Sequence, residues 1–239
     1  RPENALTLFP MRKFILEPQN FPWFDYKRYS FSLGLAVGEN CYLSGHTAST
    51  YDPERKQMVV EGGMAPQART AYVKAAAILE AGGKTFADVV RVVEYVTPQG
   101  IERYAEAEAV RNEIFGSHHP AVNTVPVKAL LRPDAFIEVE VMTGPAGTAT
   151  PAAVNGAVVH ETGDLIILPS ISAGGAGGDL GTQITTIFDE AARLLGTLDL
   201  GLENLAKTVD YLTPAALTGY RETAAVRRER LGPVFPAAT

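Results

Sequence analysis

The chain has 239 residues, is 46% hydrophobic and 20% charged, and carries a net charge of −6. That balance excludes a disordered chain and argues against a nucleic-acid binder, which leans on clustered Lys and Arg. No apolar run reaches the roughly 18 residues a membrane helix needs. The lone Cys41, in a strand-like context, reads as a buried thiol in a reducing, cytoplasmic compartment.

In chain order, residues 1–25 hold Pro2, Pro10, Pro18 and Pro22, which limit regular structure, so they read as an arm. The chain opens on Arg1, so its start is expected to lie further upstream. A first domain begins at Tyr26. Residues 31–37 and 41–45 read as strands joined by a Gly38-Glu39-Asn40 turn, and a further short strand is expected around Met58-Val59-Val60. Ala68, Tyr72, Ala75, Ala76 and Leu79 recur at helical spacing, which predicts a helix over 64–81 closed by Gly82-Gly83. Val89–Val96 is β-branched and apolar on both faces, the pattern of a strand covered on both sides, and Thr97-Pro98 stops it. A second helix over 101–115 and strands over 123–129 and 135–143 complete the unit. The result is an α+β fold, a mixed sheet with two helices on one face. Its bare face has to be covered, and another copy covers it most simply, so association is expected.

Sliding the sequence by 116 residues aligns 67–123 with 183–239 without a gap, and 18 of the 57 pairs are identical. Glu94-Tyr95-Val96-Thr97-Pro98 meets Asp210-Tyr211-Leu212-Thr213-Pro214, Tyr104 meets Tyr220, and Ala109-Val110-Arg111 meets Ala225-Val226-Arg227. A repeat this long, present twice, points to a duplicated domain rather than a solenoid. The expected organisation is an arm over 1–25, a first domain over 26–144, a linker over 145–153 and a second domain over 154–239. The second domain opens with a hairpin over 156–160 and 164–168 and repeats the helical stripe as Ile184, Phe188, Ala191, Ala192 and Leu195. It stops at the equivalent of Asn123. Its last two strands are therefore missing, and the chain is expected to be incomplete at that end.

Ser44-Gly45 after a strand, the Ala-rich helix, Val89–Val96, Tyr104, His119-Pro120-Ala121 and Ile137-Glu138-Val139-Glu140-Val141 resemble, in their order and spacing, the Rid/YjgF family of reactive-intermediate deaminases. The resemblance covers 26–144 and, more weakly, 154–239. It implies two tandem chorismate-mutase-like (RidA-like) units, the second truncated and degenerate, assembled in a homo-oligomer with a trimeric, pseudo-trimeric or hexameric arrangement of domains. It also implies hydrolysis of enamines and imines released by pyridoxal-phosphate enzymes, in clefts between subunits, without metal or cofactor.

Carried over position by position, the resemblance implies a pocket with Phe31, Ser44, Gly45 and the carboxylate of Glu138. The family's substrate-gripping arginine, expected directly after Pro120-Ala121, is replaced by Val122 here and by Ala238 in the second copy. The second copy also shows Pro169-Ser170 for Ser44-Gly45 and Ile171 for His46. A guanidinium pairs with a carboxylate bidentately, and losing one partner of such a pair costs about 2–5 kcal/mol. The usual 2-imino acids are then poor substrates unless another cation substitutes; Lys128 and Arg132 lie nearby in sequence.

From the residues themselves, strand alternation puts Glu138 and Glu140 on one face. A carboxylate whose pKa is raised by burial can deprotonate the water that adds to a C=N bond; two solvent-facing glutamates are the plain alternative. His46 is placed either to move protons near neutral pH or as a turn histidine bonded to backbone. Asn123 and Thr124 are suited to hydrogen-bond a neutral polar substrate. His118-His119 lacks further ligands at metal spacing, and the glycine run over 173–178 lacks the Lys-Ser/Thr ending of a phosphate loop. The expected catalytic residues are Glu138, His46 and Ser44, and the expected substrate-binding residues Gly45, Phe31, Asn123 and Val122. The expected partner is a small-molecule substrate, with no metal, cofactor, nucleic acid or membrane. Two functions compete: a hydrolase of a reactive imine, enamine or related small C–N compound, and a Rid-like pseudoenzyme that binds a metabolite or scaffolds another enzyme. RNA cleavage, also attached to this family, is disfavoured by the acidic balance.

Overall fold

In a computed structural model, the residues described are 13–145, 152–154, 157–162, 165–175, 178–232 and 235–238. Most of the expected linker, half of the expected arm and the tip of the 156–168 hairpin lie outside them. The chain divides into two compact units, Arg1–Ala152 with Val158–Ile167, and Ala153–Ala157 with Leu168–Thr239.

The first unit runs β1 (Lys13–Ile15), β2 (Gly34–Val37), β3 (Asn40–Leu43), β4 (Thr50–Asp52), β5 (Gln57–Val59), α1 (Met64–Ala81), β6 (Val89–Val96), α2 (Pro98–Ile101), α3 (Tyr104–Phe115), β7 (Ala121–Pro126) and β8 (Ile137–Thr143). Six strands form one mixed sheet in the order β1-β2-β3-β8-β6-β7, and β4 and β5 form a separate hairpin. β6 runs parallel to β7 and antiparallel to β8. The α+β class read from the sequence is the class observed.

Helix α1 buries Met64, Ala68, Ala71, Tyr72, Ala75, Ile78 and Leu79. These pack with Val92 and Val96 of β6 and Ile137, Val139 and Val141 of β8 in one core, which α3 joins through Ala107, Val110 and Phe115. Both helices thus cover one sheet face. The helix ends where the chain turns at Gly83, whose φ of 66° is the left-handed region glycine adopts without cost. Alternation then assigns the other face: Arg91 and Tyr95 of β6, and Glu138, Glu140 and Met142 of β8, point away from the helices.

Several boundaries differ from expectation, the strand read over 31–37 being Gly34–Val37 and the one over 123–129 being Ala121–Pro126. The second helix starts at Tyr104 as α3 and is preceded by the short α2, in which Gly100 packs so closely on the carbonyl of Phe136 that a Cβ there would overlap it. The irregular arm contributes an edge strand, β1, paired with β2 from Lys13↔Val37 to Ile15↔Leu35.

Further along lie β9 (Ala152–Val154), β10 (Ala157–Thr162) and β11 (Leu165–Ile167), a three-stranded sheet in the order β11-β10-β9. The rest of the chain holds α4 (Leu180–Gly196), β12 (Lys207–Thr208), α5 (Pro214–Leu217), α6 (Ala224–Leu231) and β13 (Ala237–Ala238). Asp179 caps α4 by accepting the Thr182 N–H at 2.8 Å. Ile184, Phe188 and Leu231 form its small core with Leu180, Leu202, Leu205 and Val226. β12 and β13 pair in parallel as Lys207↔Ala237 and Thr208↔Ala238, each residue 116 positions beyond Arg91↔Ala121 and Val92↔Val122 of the first unit.

Candidate functional site

The open face of the first sheet carries the carboxylate chemistry. Glu138 is half-buried on β8, and a Cβ built on Gly45 would overlap its Oε1 and lie 3.0 Å from its Cδ. A side chain at position 45 would displace the carboxylate, so the glycine sets how closely backbone and carboxylate approach. Burial pushes the Glu138 carboxyl above its usual range, and the neighbouring Glu140 adds to the rise by repulsion. Glu140 itself receives the Tyr95 hydroxyl at 3.3 Å.

Ser44 and Gly45 sit just past the end of β3. The Ser44 hydroxyl donates to the Ser32 carbonyl at 2.7 Å, so its bond serves the backbone next to Phe31, which is itself exposed with its ring 5.9 Å from Tyr29. His46 does not join Glu138. It bridges Val139, exchanging backbone bonds of 2.9 Å in both directions, which turns its side chain to the core face with Val139. There it is 4% exposed, and its Nε2 has no hydrogen-bond partner among the described residues. Burial, with Lys74 nearby, lowers its pKa to about 4, so the imidazole is neutral at physiological pH. A proton shuttle beside Glu138 is not what this geometry provides. Val122 likewise packs against the helix-covered core, and Thr124 shares a 2.6 Å hydrogen bond with the Tyr104 hydroxyl. Asn123, on the open face, accepts the Arg91 Nε–H at 3.0 Å. His118 meets the Val89 carbonyl at 2.6 Å.

Two buried clusters escaped the sequence reading. Lys74 is fully buried on α1 and donates to the carbonyls of Thr47 at 2.8 Å and Ser49 at 2.5 Å. The rings of Trp23 and Phe24 lie 5.8 and 5.4 Å from its Nζ. Desolvation lowers its pKa to about 7. This clamp fixes the segment that follows Gly45. The second cluster centres on Glu94, which is fully buried on the helix face of β6. It accepts the Tyr72 hydroxyl at 2.5 Å, the Tyr104 hydroxyl, and Arg111 Nη1 at 2.6 Å. Burial and the adjacent carboxylate push the Tyr104 phenol up to about 12, so it stays a donor. The other unit builds the same constellation 116 residues on. Asp210 accepts the Tyr220 hydroxyl at 2.5 Å and Arg227 Nη2 at 2.6 Å, with Phe188 standing where the first unit has Tyr72. The signal was present in the repeat: these polar residues are the ones the two halves share.

An α+β unit with both helices on one sheet face, and a desolvated carboxylate set against a glycine on the other, defines a small Rid-type domain. The family model described as endoribonuclease L-PSP matches residues 26–144. A RutC family protein from Pyrococcus abyssi is 31% identical over 110 residues, spanning 46% of this chain and 82% of the relative. A 2-iminobutanoate/2-iminopropanoate deaminase from Dermatophagoides farinae is 31% identical over 110 residues, 46% of this chain and 81% of its own. Among solved structures, a Rid protein of unknown function from Yersinia pestis aligns with a TM-score of 0.48 at 25% identity, over 56% of this chain and 99% of its own. The chain belongs to the Rid/YjgF family.

Proposed function

We propose that the first unit is a cofactor-independent hydrolase of a reactive imine or enamine, with Glu138 as the base that activates water. The observation that carries this reading is the Glu138 carboxylate, half-buried against Gly45 with its pKa raised by burial. A carboxylate whose pKa is raised is a stronger general base for the attack of water. Water adds to the C=N carbon while Glu138 accepts its proton. The carbinolamine then collapses as the proton is returned to nitrogen, and ammonia leaves with a carbonyl product. The deaminase activity in the name of the Dermatophagoides relative supports the same reaction class.

We read the second unit as a degenerate copy of the first. The displacement of 116 residues that relates the two parallel strand pairs and the two Asp/Glu–Tyr–Arg clusters supports this. Its Pro169-Ser170 in place of Ser44-Gly45 favours a structural role for that half, and keeps the metabolite-binding pseudoenzyme as the second reading. The bare sheet face supports a homo-oligomer, with domains in a trimeric or pseudo-trimeric arrangement. The buried free thiol of Cys41 fits a cytoplasmic setting.

The test is ammonia release from imines without a 2-carboxylate, generated in situ and compared with their spontaneous hydrolysis, with 2-iminobutanoate as the substrate expected to be poorly accepted. Glu138→Gln, nearly isosteric, is expected to abolish acceleration while leaving unfolding unchanged. A Glu138→Gln protein that retains full turnover sinks the enzymatic reading.

A further inference from the structure

Asn123 was expected to touch substrate directly; the structure instead makes it the support of a cation. Arg91 is half-buried on β6, on the same open face as Glu138, and donates its Nε–H to Asn123 Oδ1 at 3.0 Å. Among the described residues it has no carboxylate partner. Of the other buried or half-buried arginines, Arg111, Arg227 and Arg230 are paired with acids, and among the described residues Arg132 is not. With Nε engaged, the two terminal nitrogens form a fork that suits a carboxylate.

Asn123 lies opposite Val93, not opposite Arg91, so the bond draws the Arg91 side chain along β6 and sideways over β7, while Glu138 lies on β8, the strand on the other side of β6. Four residues separate Arg91 from Tyr95, the partner of Glu138, about 13 Å of strand. The two groups therefore share a face at a distance that only an extended ligand spans.

We infer that Arg91, positioned by Asn123, is the anion-binding group of this site in place of the arginine missing at Val122. The ligand it selects is an imine or enamine whose carboxylate stands two or more carbons from the C=N bond. This rests on the hydrolase reading for the chemistry at Glu138, but the binding claim has its own readout. The contact is built by this chain's own side chains, and Lys207 keeps a cation at the matching position of the second unit.

The experiment is calorimetric titration of the full chain with 4-oxopentanoate and 2-oxobutanoate, stable carbonyl counterparts of such imines, and with uncharged 2-butanone. The expected order is 4-oxopentanoate tightest and 2-butanone without saturable binding. Arg91→Gln should weaken 4-oxopentanoate about 30-fold or more, as for loss of a charge-assisted pair, and Asn123→Ala several-fold less. Glu138→Gln should bind normally while losing turnover, which separates the two claims: turnover retained there overturns the hydrolase, not the anion site. Equal binding by wild type and Arg91→Gln overturns the inference, as does 2-oxobutanoate binding more tightly than 4-oxopentanoate. An Arg91→Gln protein that sediments at a smaller mass than wild type also overturns it, since Arg91 would then serve an interface.

Discussion

Replacing Arg111 by methionine keeps most of the buried side-chain stem and removes only the cation. The partner left behind is Glu94, a fully buried carboxylate that receives Arg111 Nη1 at 2.6 Å. The Arg111 side chain is 11% exposed, so water does not replace the lost charge. Breaking a buried pair from one side costs about 3–5 kcal/mol. The hydroxyls of Tyr72 and Tyr104 still donate to the carboxylate, which places the expected loss at the lower end, about 3 kcal/mol. The second bond of Arg111, to the half-exposed Glu108 at 3.3 Å, adds little. Urea unfolding followed by the fluorescence of Trp23, the one tryptophan, reads the first unit without interference from the second. Glu94→Gln in the same background should recover part of the loss, because the stranded charge is then gone. A cost below about 1 kcal/mol for Arg111→Met, or strict additivity of the two changes, would refute the idea that this cluster supports the domain.

Gly45→Ala is expected to leave stability within about 1 kcal/mol, since the obstructed atoms end a flexible side chain. Turnover should nonetheless fall about 100-fold as the carboxylate is displaced; unchanged ammonia release would argue against Glu138 as the base. Lys74 binds fewer protons folded than unfolded between pH about 7 and the ordinary lysine value of 10.5. Stability should therefore rise with pH across that window by up to about 1.4 kcal/mol per pH unit. His46 contributes the same sign between pH about 4 and 6.5, its stabilisation present above that window and lost as pH falls through it. Lys74→Met should flatten the alkaline slope, and a slope that survives this change would assign it elsewhere.

Helix α1 was legible because its stripe and its glycine terminus are local signals, and β6 because an eight-residue apolar run leaves little else. Edge strand β1 was not, because all three of its residues are exposed and nothing in Lys13-Phe14-Ile15 alternates between core and solvent. Gly45 and Glu138 were legible as a pair through their family spacing. His46 was not, because its side depends on one antiparallel bridge to Val139 that no local pattern encodes. Lys74 is harder still. A lysine on the buried side of a helix is conventionally sent to solvent, and only the packed loop reveals the two carbonyls that hold it.

What the two halves share and where they part separates framework from chemistry. Glu94–Tyr104–Arg111 holds strand β6 to helix α3, Asp210–Tyr220–Arg227 holds the segment after β12 to helix α6, and both clusters are present. A buried or half-buried acid cannot lose its arginine without a large cost, so drift at any one member is resisted whatever the unit does. Ser44-Gly45 lies outside that framework, and on the tandem reading the second half has Pro169-Ser170 there. On that reading, then, the proposed chemistry belongs to the open face of the first unit, where Gly45 stands against Glu138. On the anion-site proposal, Glu138 and Arg91 divide the work of that face, the raised-pKa carboxylate toward water and the guanidinium held by Asn123 toward an anionic group of the ligand.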